Sequence, residues 1–228
     1  MKRLVVPLVV SAMTAGCSGD DGGGGNLPTY ETLLEDDFST FPFGWTWAGG
    51  GGPRSETDFG FPAPSGYVSG AGFVSPPGTF TFESQKLDAH VTAYLQNSQA
   101  FGEQYALLRV ANDFTDVPGP ELGYVGYRLI TNRQADQPVA GYPAGNTAEV
   151  HCAFDGGTPV HVQVPYEDGA VAYDLFITVD SQGTRCGFDD TVVATTAATS
   201  VTGAYRPVLG ATASSDAWFD NLIMRRAE

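Results

Sequence analysis

Glycine and proline interrupt this chain so often that long helices are excluded. Its 228 residues include 29 glycines and 15 prolines, and no segment after Tyr30 keeps a helical period. The apolar segments between these breaks are short and rich in Val, Tyr, Phe and Thr, which favour strands. They are TFTFES, LDAHVTAYL, YALLRVAN, LGYVGYRLI, VHVQV, AYDLFITVD, TVVATT, YRPVLGATA and AWFDNLIM. Many short strands joined by turns predict an all-β fold, an antiparallel two-sheet β-sandwich or a barrel.

Residues 1–16 have the organisation of an export signal. A basic pair, Lys2 and Arg3, precedes an apolar run that is too short to span a bilayer, and small residues then lead to Cys17. This order resembles a bacterial lipoprotein signal, which implies that Cys17 is acylated and becomes the mature N-terminus. An ordinary secretory signal, with a mature chain that starts near a cysteine, is the alternative.

The segment after Cys17 predicts a tether followed by one domain. SGDDGGGGN is small and polar and cannot bury apolar surface, so residues 17–29 are interpreted as a flexible lipidated tether. The remaining residues, 30–228, are enough for one domain with its own core. In the lipoprotein sorting pattern, Ser18 after the cysteine favours the outer membrane, so we expect a cell-envelope protein with a lipid anchor.

The charge of the chain limits its partners. The formal net charge is −15 at pH 7, and removal of the signal with its two cations makes it more negative. A strongly acidic protein is a poor ligand for nucleic acid, anionic lipid or acidic polysaccharide. Neutral glycans, cations and basic partners remain open.

Two cysteines remain after the lipidation site. Cys152 and Cys186 are an even pair in a chain predicted to be exported, so we predict one disulfide between them. His151 beside Cys152 raises the alternative of a metal site, but the pair lacks C-x-x-C spacing.

The last apolar segment contains an acidic residue. In an extended AWFDNLIMRR, strict alternation puts Asp220 on the face of Trp218, Leu222 and Met224. A carboxylate on such a face costs several kcal/mol unless it is hydrogen-bonded, paired or bound to a cation. The segment therefore predicts a partner for Asp220.

Four segments in sequence order carry a family resemblance. They are LLEDDFSTFPFGWTW, SGAGFVSPPGTFTFESQKLDAHVTAYL, AYDLFITVDSQGTRCGFDDTVV and YRPVLGATASSDAWFDNLIM. Together they span most of residues 33–225 and resemble the concanavalin A-like lectin/glucanase superfamily, in particular its laminarinase-like jelly rolls. The resemblance implies a two-sheet jelly-roll sandwich, in which the final strand reads aromatic-Asp-x-apolar-x-apolar.

The same resemblance implies a role for Asp220. In many glucanase-like members the matching Asp helps to bind a structural calcium ion, together with backbone carbonyls, and calcium accepts six to eight oxygen ligands. The alternatives are a hydrogen bond that joins the last strand to residues 34–38, or an ion pair with Arg225 or Arg226.

The catalytic motif of the glycoside hydrolases in this superfamily is not preserved. Those enzymes carry Glu-x-Asp-x-x-Glu on one strand, which directs three acids into the cleft. In FGEQYALLRVANDF, Glu103 is followed by Tyr105 and Leu108, and Asp113 stands alone. No H-E-x-x-H or G-x-S-x-G motif occurs either. We therefore expect no catalysis, with a hydrolase or lyase of divergent active site as the alternative.

The chain has three histidines, His90, His151 and His161. The last two flank a predicted turn at residues 155–157, so they would face each other across a hairpin. No third ligand is evident nearby, and surface histidines on strands are therefore preferred over a metal site.

Several aromatic residues are candidates for a sugar-binding surface. Trp45 and Trp47 share a face if that segment is extended, and flat aromatic rings with a few polar groups bind sugars. A core position for Trp45 is the alternative. Tyr124 and Tyr127 point to opposite faces of a regular strand, so only one of them can line a groove.

Two arginines within strands complete the candidate set. Arg109 and Arg128 are hydrogen-bond donors to a ligand or, alternatively, partners of internal charges. The sequence thus predicts an envelope lipoprotein with a non-catalytic domain that recognises a glycan or surface component. A structural envelope protein with no small ligand is the further alternative.

Overall fold

The described part of the chain consists of strands and turns. The computed structural model describes residues 29–40, 44–49, 54–56, 65–96, 102–114, 121–131, 145–155, 157–166, 170–211 and 216–228. These residues contain no helix, which confirms the all-β prediction, and so they include no helix that could cross a membrane. The predicted signal peptide, Cys17 and all but the last residue of the predicted tether lie outside the described residues.

Fifteen strands are present within these described ranges. They are β1 (Glu31–Asp36), β2 (Thr46–Ala48), β3 (Arg54–Glu56), β4 (Ser65–Ser69), β5 (Phe73–Ser75), β6 (Phe80–Gln96), β7 (Gly102–Ala111), β8 (Glu121–Thr131), β9 (Thr147–Ala153), β10 (Val160–Val164), β11 (Ala170–Asp180), β12 (Gly183–Phe188), β13 (Thr191–Thr196), β14 (Val201–Ala211) and β15 (Asp216–Ala227).

The strands form two antiparallel layers. Sheet one has the order β13-β12-β11-β6-β15, and the far side of β15 pairs with β1 and with β4, which pairs with β3. Sheet two has the order β10-β9-β8-β7-β14-β5-β2. The first halves of β6 and β14 pair with each other, so these two long strands pass from one sheet to the other. This arrangement confirms the predicted two-sheet sandwich.

The core lies between the two sheets. On β6 the alternate residues from Leu87 to Leu95 have no exposed surface, and on β8 the same holds for Val125, Tyr127 and Leu129. The rings of Tyr127 and Tyr173, from opposite sheets, meet edge to face with centroids 4.7 Å apart. The period-two pattern in the sequence therefore identifies the face of each strand that is removed from water.

The final strand departs from strict alternation. Asp220 lies opposite Thr92 and Ile223 lies opposite His90, so two residues of β15 face one residue of β6 in a bulge. Phe219 is in the core before the bulge, and Leu222 and Met224 are in the core after it. The predicted shared face of Asp220, Leu222 and Met224 is therefore wrong. The bulge turns the carboxylate away from the core to a half-buried position, where it accepts a hydrogen bond from the Asn221 backbone N–H.

Asn221 makes this bulge with a backbone conformation that few residues adopt. Its φ is 52°, in the left-handed region, where most side chains cost about 1–2 kcal/mol and Asn and Gly cost least. We expect Asn221→Ala to lower the free energy of unfolding by about 1 kcal/mol. Asn221→Gly should remain close to the natural protein in a urea-unfolding measurement, and equal losses for both variants would contradict this origin.

The two described cysteines face each other across the core. Cys152 on β9 and Cys186 on β12 are fully buried, and both are free thiols, so the predicted disulfide is not present in the structure. Burial and a hydrogen bond to Cys152 both raise the pKa of the Cys186 thiol. The two sulfurs are thus close neighbours, as a disulfide would require.

Candidate functional site

Polar side chains converge on the face of sheet two that points away from the core. The strand register puts Tyr105 of β7 beside Arg128 of β8, and Arg128 beside Glu149 of β9. One step along the same strands, His151 lies opposite His161 of β10. Alternation sends all these side chains to one side because their neighbours fill the core. We call the set formed by Glu103, Tyr105, Arg128, Glu149, His151 and His161 the polar face.

A single guanidinium holds two carboxylates at the centre of the polar face. Arg128 Nε lies 2.8 Å from Glu103 Oε1, and Arg128 Nη1 donates to Glu149 Oε1 at 3.0 Å. The side chains of Arg128 and Glu149 are only 13% and 7% exposed, whereas that of Glu103 is 44% exposed. Charges at this depth persist only when they are paired, so the three side chains hold one another in place.

The two imidazoles continue this network toward the edge of the sheet. His151 Nε2 lies 2.6 Å from Glu149 Oε1 and 3.3 Å from His161 Nδ1, and the two ring centroids are 4.1 Å apart. Burial lowers the pKa of His151, and this outweighs the opposing hydrogen bond and charge of Glu149. The His151 ring is therefore mainly neutral at pH 7.

Tyr105 supplies the aromatic part of the polar face. Its ring lies over Gly126, where a Cβ atom would come within 2.2 Å of the ring, and it meets His151 edge-on at 5.5 Å between centroids. Gly126 is thus the residue that allows the ring to approach the sheet so closely. Burial raises the pKa of Tyr105 far above its usual value, so the phenol keeps its proton.

Of the two predicted arginines, only Arg128 belongs to the polar-face network. Arg109 forms a buried ion pair with Glu121, and its guanidinium lies 5.9 Å from the centroid of the Phe73 ring. This contact with an internal charge is the alternative that the sequence left open for Arg109.

The predicted aromatic residues are distributed over different parts of the fold. Tyr127 has no exposed surface and packs in the core, so it is not available to a ligand. Tyr124 is half-buried on the outer face of sheet two. Trp45 packs against Phe38 with ring centroids 5.6 Å apart, which agrees with a core position. Trp47 is 53% exposed, but it pairs with the core residue Val74, so its register assigns it to the core side of the sheet edge.

Asp220 lies close to the acidic segment that follows β1. Its Oδ1 accepts a hydrogen bond of 2.8 Å from the Asn221 backbone N–H. Burial raises the pKa of Asp220, the Asn221 hydrogen bond opposes this, and the negative charge of Asp37 adds to the rise. Carboxylate oxygens are the donors that calcium prefers, so this pair suits the ion in donor type. No third acidic side chain joins it in a ligand cluster within the described residues.

A second histidine cluster lies on the outer face of sheet one. His90 on β6 contacts Asp88 Oδ1 through Nε2 at 2.8 Å and Asp174 Oδ2 through Nδ1 at 3.2 Å. Burial alone would lower the pKa of His90, but the hydrogen bonds and charges of Asp174 and Asp88 raise it to about 9. Arg225 of β15 lies 3.7 Å from Asp88 and completes the cluster. A protonated imidazole thus bridges two strands.

The sequence interpretation missed Glu149 as a member of the site. A usable signal was present, because Glu149 and His151 are two residues apart and must share a face on any strand. Glu103, considered only as a remnant of a catalytic motif, is instead a partner of Arg128. Asp174 contacts His90 because β11 pairs with β6, and no local sequence pattern predicts that pairing.

Comparisons with known proteins show the fold. No protein-family model and no curated protein matches the sequence. The chain is similar in structure to the CBM2 module of the evolved Dit of Lactobacillus casei BL23 phage J-1, with a TM-score of 0.53, 11% identity, and coverage of 87% of this chain and 96% of that chain.

Two further solved structures are similar over most of the chain. The carbohydrate recognition domain of Emp47p has a TM-score of 0.48 and 13% identity, covering 82% of this chain and 89% of that one. A beta-1,3-glucanase from Mycobacterium marinum has a TM-score of 0.46 and 14% identity, covering 85% and 98%. The likeness to the phage Dit module establishes the fold and nothing more, and it agrees with the two-sheet jelly-roll sandwich that the sequence predicts.

Proposed function

We propose that this chain is an envelope lipoprotein whose jelly roll recognises a neutral glycan through the polar face, without catalysis. The observation that carries the proposal is the network around Arg128, in which one planar guanidinium orients two carboxylates beside a tyrosine ring. Sugars present hydroxyl groups in pairs and apolar ring faces, and they are bound by planar polar groups beside aromatic side chains.

The network is suited to binding because it is already ordered. The Glu149 carboxylate accepts from both Arg128 and His151, so its orientation is set before a ligand arrives. Preorganised polar groups lose less conformational entropy on binding than mobile ones do. The exposed side chains of Glu103 and His161, at 44% and 43%, are the parts of the polar face that a ligand would reach first.

The arrangement of the acids favours binding over glycoside hydrolysis. A hydrolase needs one carboxyl group with a raised pKa to act as the acid and a second that attacks or activates water. Here Glu103 and Glu149 both pair with the guanidinium of Arg128, so neither carboxyl group has the unpaired, apolar surroundings in which such an acid is found. The sequence also lacks the superfamily's Glu-x-Asp-x-x-Glu pattern on β7.

Two further elements of the proposal are architectural. Lipidation of Cys17 would hold the domain at the membrane through the Gly-rich tether. The mature chain, more negative than the −15 of the full sequence, would be kept clear of anionic headgroups by its charge. A structural calcium ion beside Asp220 and Asp37 would neutralise two nearby carboxylates where β15 meets the end of β1.

Replacement of Arg128 tests the proposal. Arg128→Lys keeps the charge but loses the planar fork that holds both carboxylates, so we expect at least about a tenfold loss of glycan affinity. The matched control is Arg185→Lys on β12, where the arginine pairs with Asp180 and Gln182 far from the polar face. Array screening with neutral glycans followed by titration calorimetry of the strongest ligand gives the measurement, and thermal unfolding confirms that both variants fold.

Three results would count against this function. An array without binding would favour a structural envelope protein that has no small ligand. Equal affinity loss in both arginine variants would place the binding elsewhere. Turnover of a polysaccharide that disappears in Glu103→Gln would instead identify a divergent hydrolase.

A further inference from the structure

Three metal-ligating side chains meet at the edge of sheet two. Glu149 and His151 are two residues apart on β9, and the hairpin register puts His161 of β10 directly opposite His151. One donor atom from each of the three lies within 4.8 Å of the other two. The sequence suggested two facing histidines, and the sheet supplies the third ligand that was missing.

The donor atoms lie close to one another, and Glu149 Oε1 also accepts a hydrogen bond from Arg128. His151 Nε2 lies 2.6 Å from Glu149 Oε1 and 3.3 Å from His161 Nδ1, and His161 Nδ1 lies 3.9 Å from Glu149 Oε2. Ligands about 2.0–2.2 Å from a tetrahedral zinc ion lie about 3.3–3.6 Å from one another, so the three donor atoms need only small side-chain adjustments to bind one ion.

The geometry points to a zinc-class transition-metal site formed by Glu149, His151 and His161. Two imidazoles and one carboxylate form a donor set that suits zinc and its neighbours, whereas calcium prefers oxygen ligands alone. Three protein ligands leave a fourth position open to water or a ligand oxygen. The site is distinct from the calcium expected near Asp220, and it does not depend on glycan binding.

The surroundings of the cluster support a cation there. Arg128 Nη1 donates to Glu149 Oε1, the oxygen that also contacts His151, and Glu149 Oε2 faces His161 at 3.9 Å. Glu103 balances the charge of the Arg128 guanidinium. The remaining local charge is that of one carboxylate, which a divalent ion offsets. Tyr105 packs edge-on against His151 and fixes its ring. Such supporting contacts orient metal ligands and strengthen binding.

The burial of the three ligands defines a route of entry. Glu149 and His151 are 7% and 6% exposed, whereas His161 is 43% exposed on the edge strand β10. A metal would therefore enter past His161, which would close the site from the solvent side. This makes His161 the ligand whose removal least disturbs the fold.

Calorimetric titration of the full chain with ZnCl₂, after treatment with a chelator, tests the site. The expected result is one ion per chain, with affinity that falls by about 10- to 100-fold or more in His161→Ala. His90→Gln is the matched histidine control, because His90 is held between Asp88 and Asp174 on the other sheet. Val160→Thr controls for a change on the same strand, because Val160 lies opposite Cys152 and is 45% exposed. Both control variants should bind zinc like the natural protein.

Several outcomes would overturn the assignment. These are the absence of stoichiometric zinc binding, equal affinity in His161→Ala and the natural protein, or an equal loss in His90→Gln. In the same titration with CaCl₂, any affinity should be equal in His161→Ala and the natural protein. A calcium affinity that falls in His161→Ala as the zinc affinity does would argue against a nitrogen-containing site. The visible spectrum of bound Co²⁺ is a second readout of the site. It should be present in the natural protein and lost in His161→Ala, so the test does not depend on whether a Glu149→Gln variant folds.

The zinc result and the glycan result fail independently. Zinc titration contains no glycan, and the glycan titration is repeated in chelator and in ZnCl₂. Zinc binding without any glycan ligand would leave the metal site standing and remove the proposed function. Glycan binding that is unaffected by chelator, in a chain that takes up no zinc, would leave the proposed function standing and remove the metal site.

Discussion

Protein refolded under oxidising conditions is expected to unfold about 10 °C higher than protein refolded with a thiol reductant. Cys152 and Cys186 are buried, lie on opposite sheets and are hydrogen-bonded to each other, so a bond between their sulfurs needs little movement. A disulfide that closes a loop of this size contributes about 3–4 kcal/mol, mainly by restricting the unfolded chain. For a domain of this length, 1 kcal/mol corresponds to roughly 2–4 °C in Tm.

The control for this experiment is the double variant Cys152→Ala, Cys186→Ala. Its Tm should be lower than that of the oxidised protein and should not depend on the oxidant or reductant. Alkylation followed by mass spectrometry reports whether the thiols are free. An oxidised sample in which both thiols remain fully alkylated under denaturing conditions would show that the bond does not form.

Raising the pH from about 6 to about 10 is expected to destabilise the protein through His90. Its pKa is raised from 6.5 to about 9 in the folded state, so the folded form binds this proton more tightly than the unfolded chain. The stabilisation is therefore fully present below pH 6.5 and is lost as the pH rises through about 9. The shift corresponds to about 2–3 kcal/mol, because one pKa unit equals about 1.4 kcal/mol and the partly exposed site is screened.

The charged groups around His90 determine the sign of this effect. Asp88 on β6 and Asp174 on β11 stabilise the imidazolium, whereas Arg225 on β15 faces Asp88 and weakens its attraction. In His90→Gln the free energy of unfolding should be lower than that of the natural protein at pH 6 and nearly equal to it at pH 10. Urea unfolding across this range is the measurement. A constant difference between the two proteins at every pH would exclude His90 as the source.

The strands and their buried faces were largely predictable from the sequence. LDAHVTAYL alternates apolar and polar residues, and β6 buries the residues of that segment which the pattern selects, from Leu87 onward. The reason is physical, since side chains alternate between the faces of a strand and only one face can leave water. The resemblance to the concanavalin A-like superfamily then distinguished the sandwich from a barrel.

The final strand marks a limit of that reasoning. Strict alternation placed Asp220 with Leu222 and Met224, but the bulge at Asn221 reverses the faces halfway along β15. A bulge inserts one residue and shifts every later side chain by one position, and no period-two pattern can contain it. The positions of the aromatic candidates could not be read from the sequence either. The face of Trp47 follows from its pairing with Val74, and the burial of Tyr127 follows from the packing of the two sheets.

The sequence alone determined the fold class, the core faces and the acidic character of the chain, because each depends on local pattern or on composition. Only the tertiary structure decided which polar groups meet. Glu103, Arg128, Glu149, His151 and His161 come from four strands, and His90 meets Asp174 across a fifth and a sixth. The register of non-local strand pairs brings these charges within hydrogen-bonding distance, and register is set by how the whole core packs.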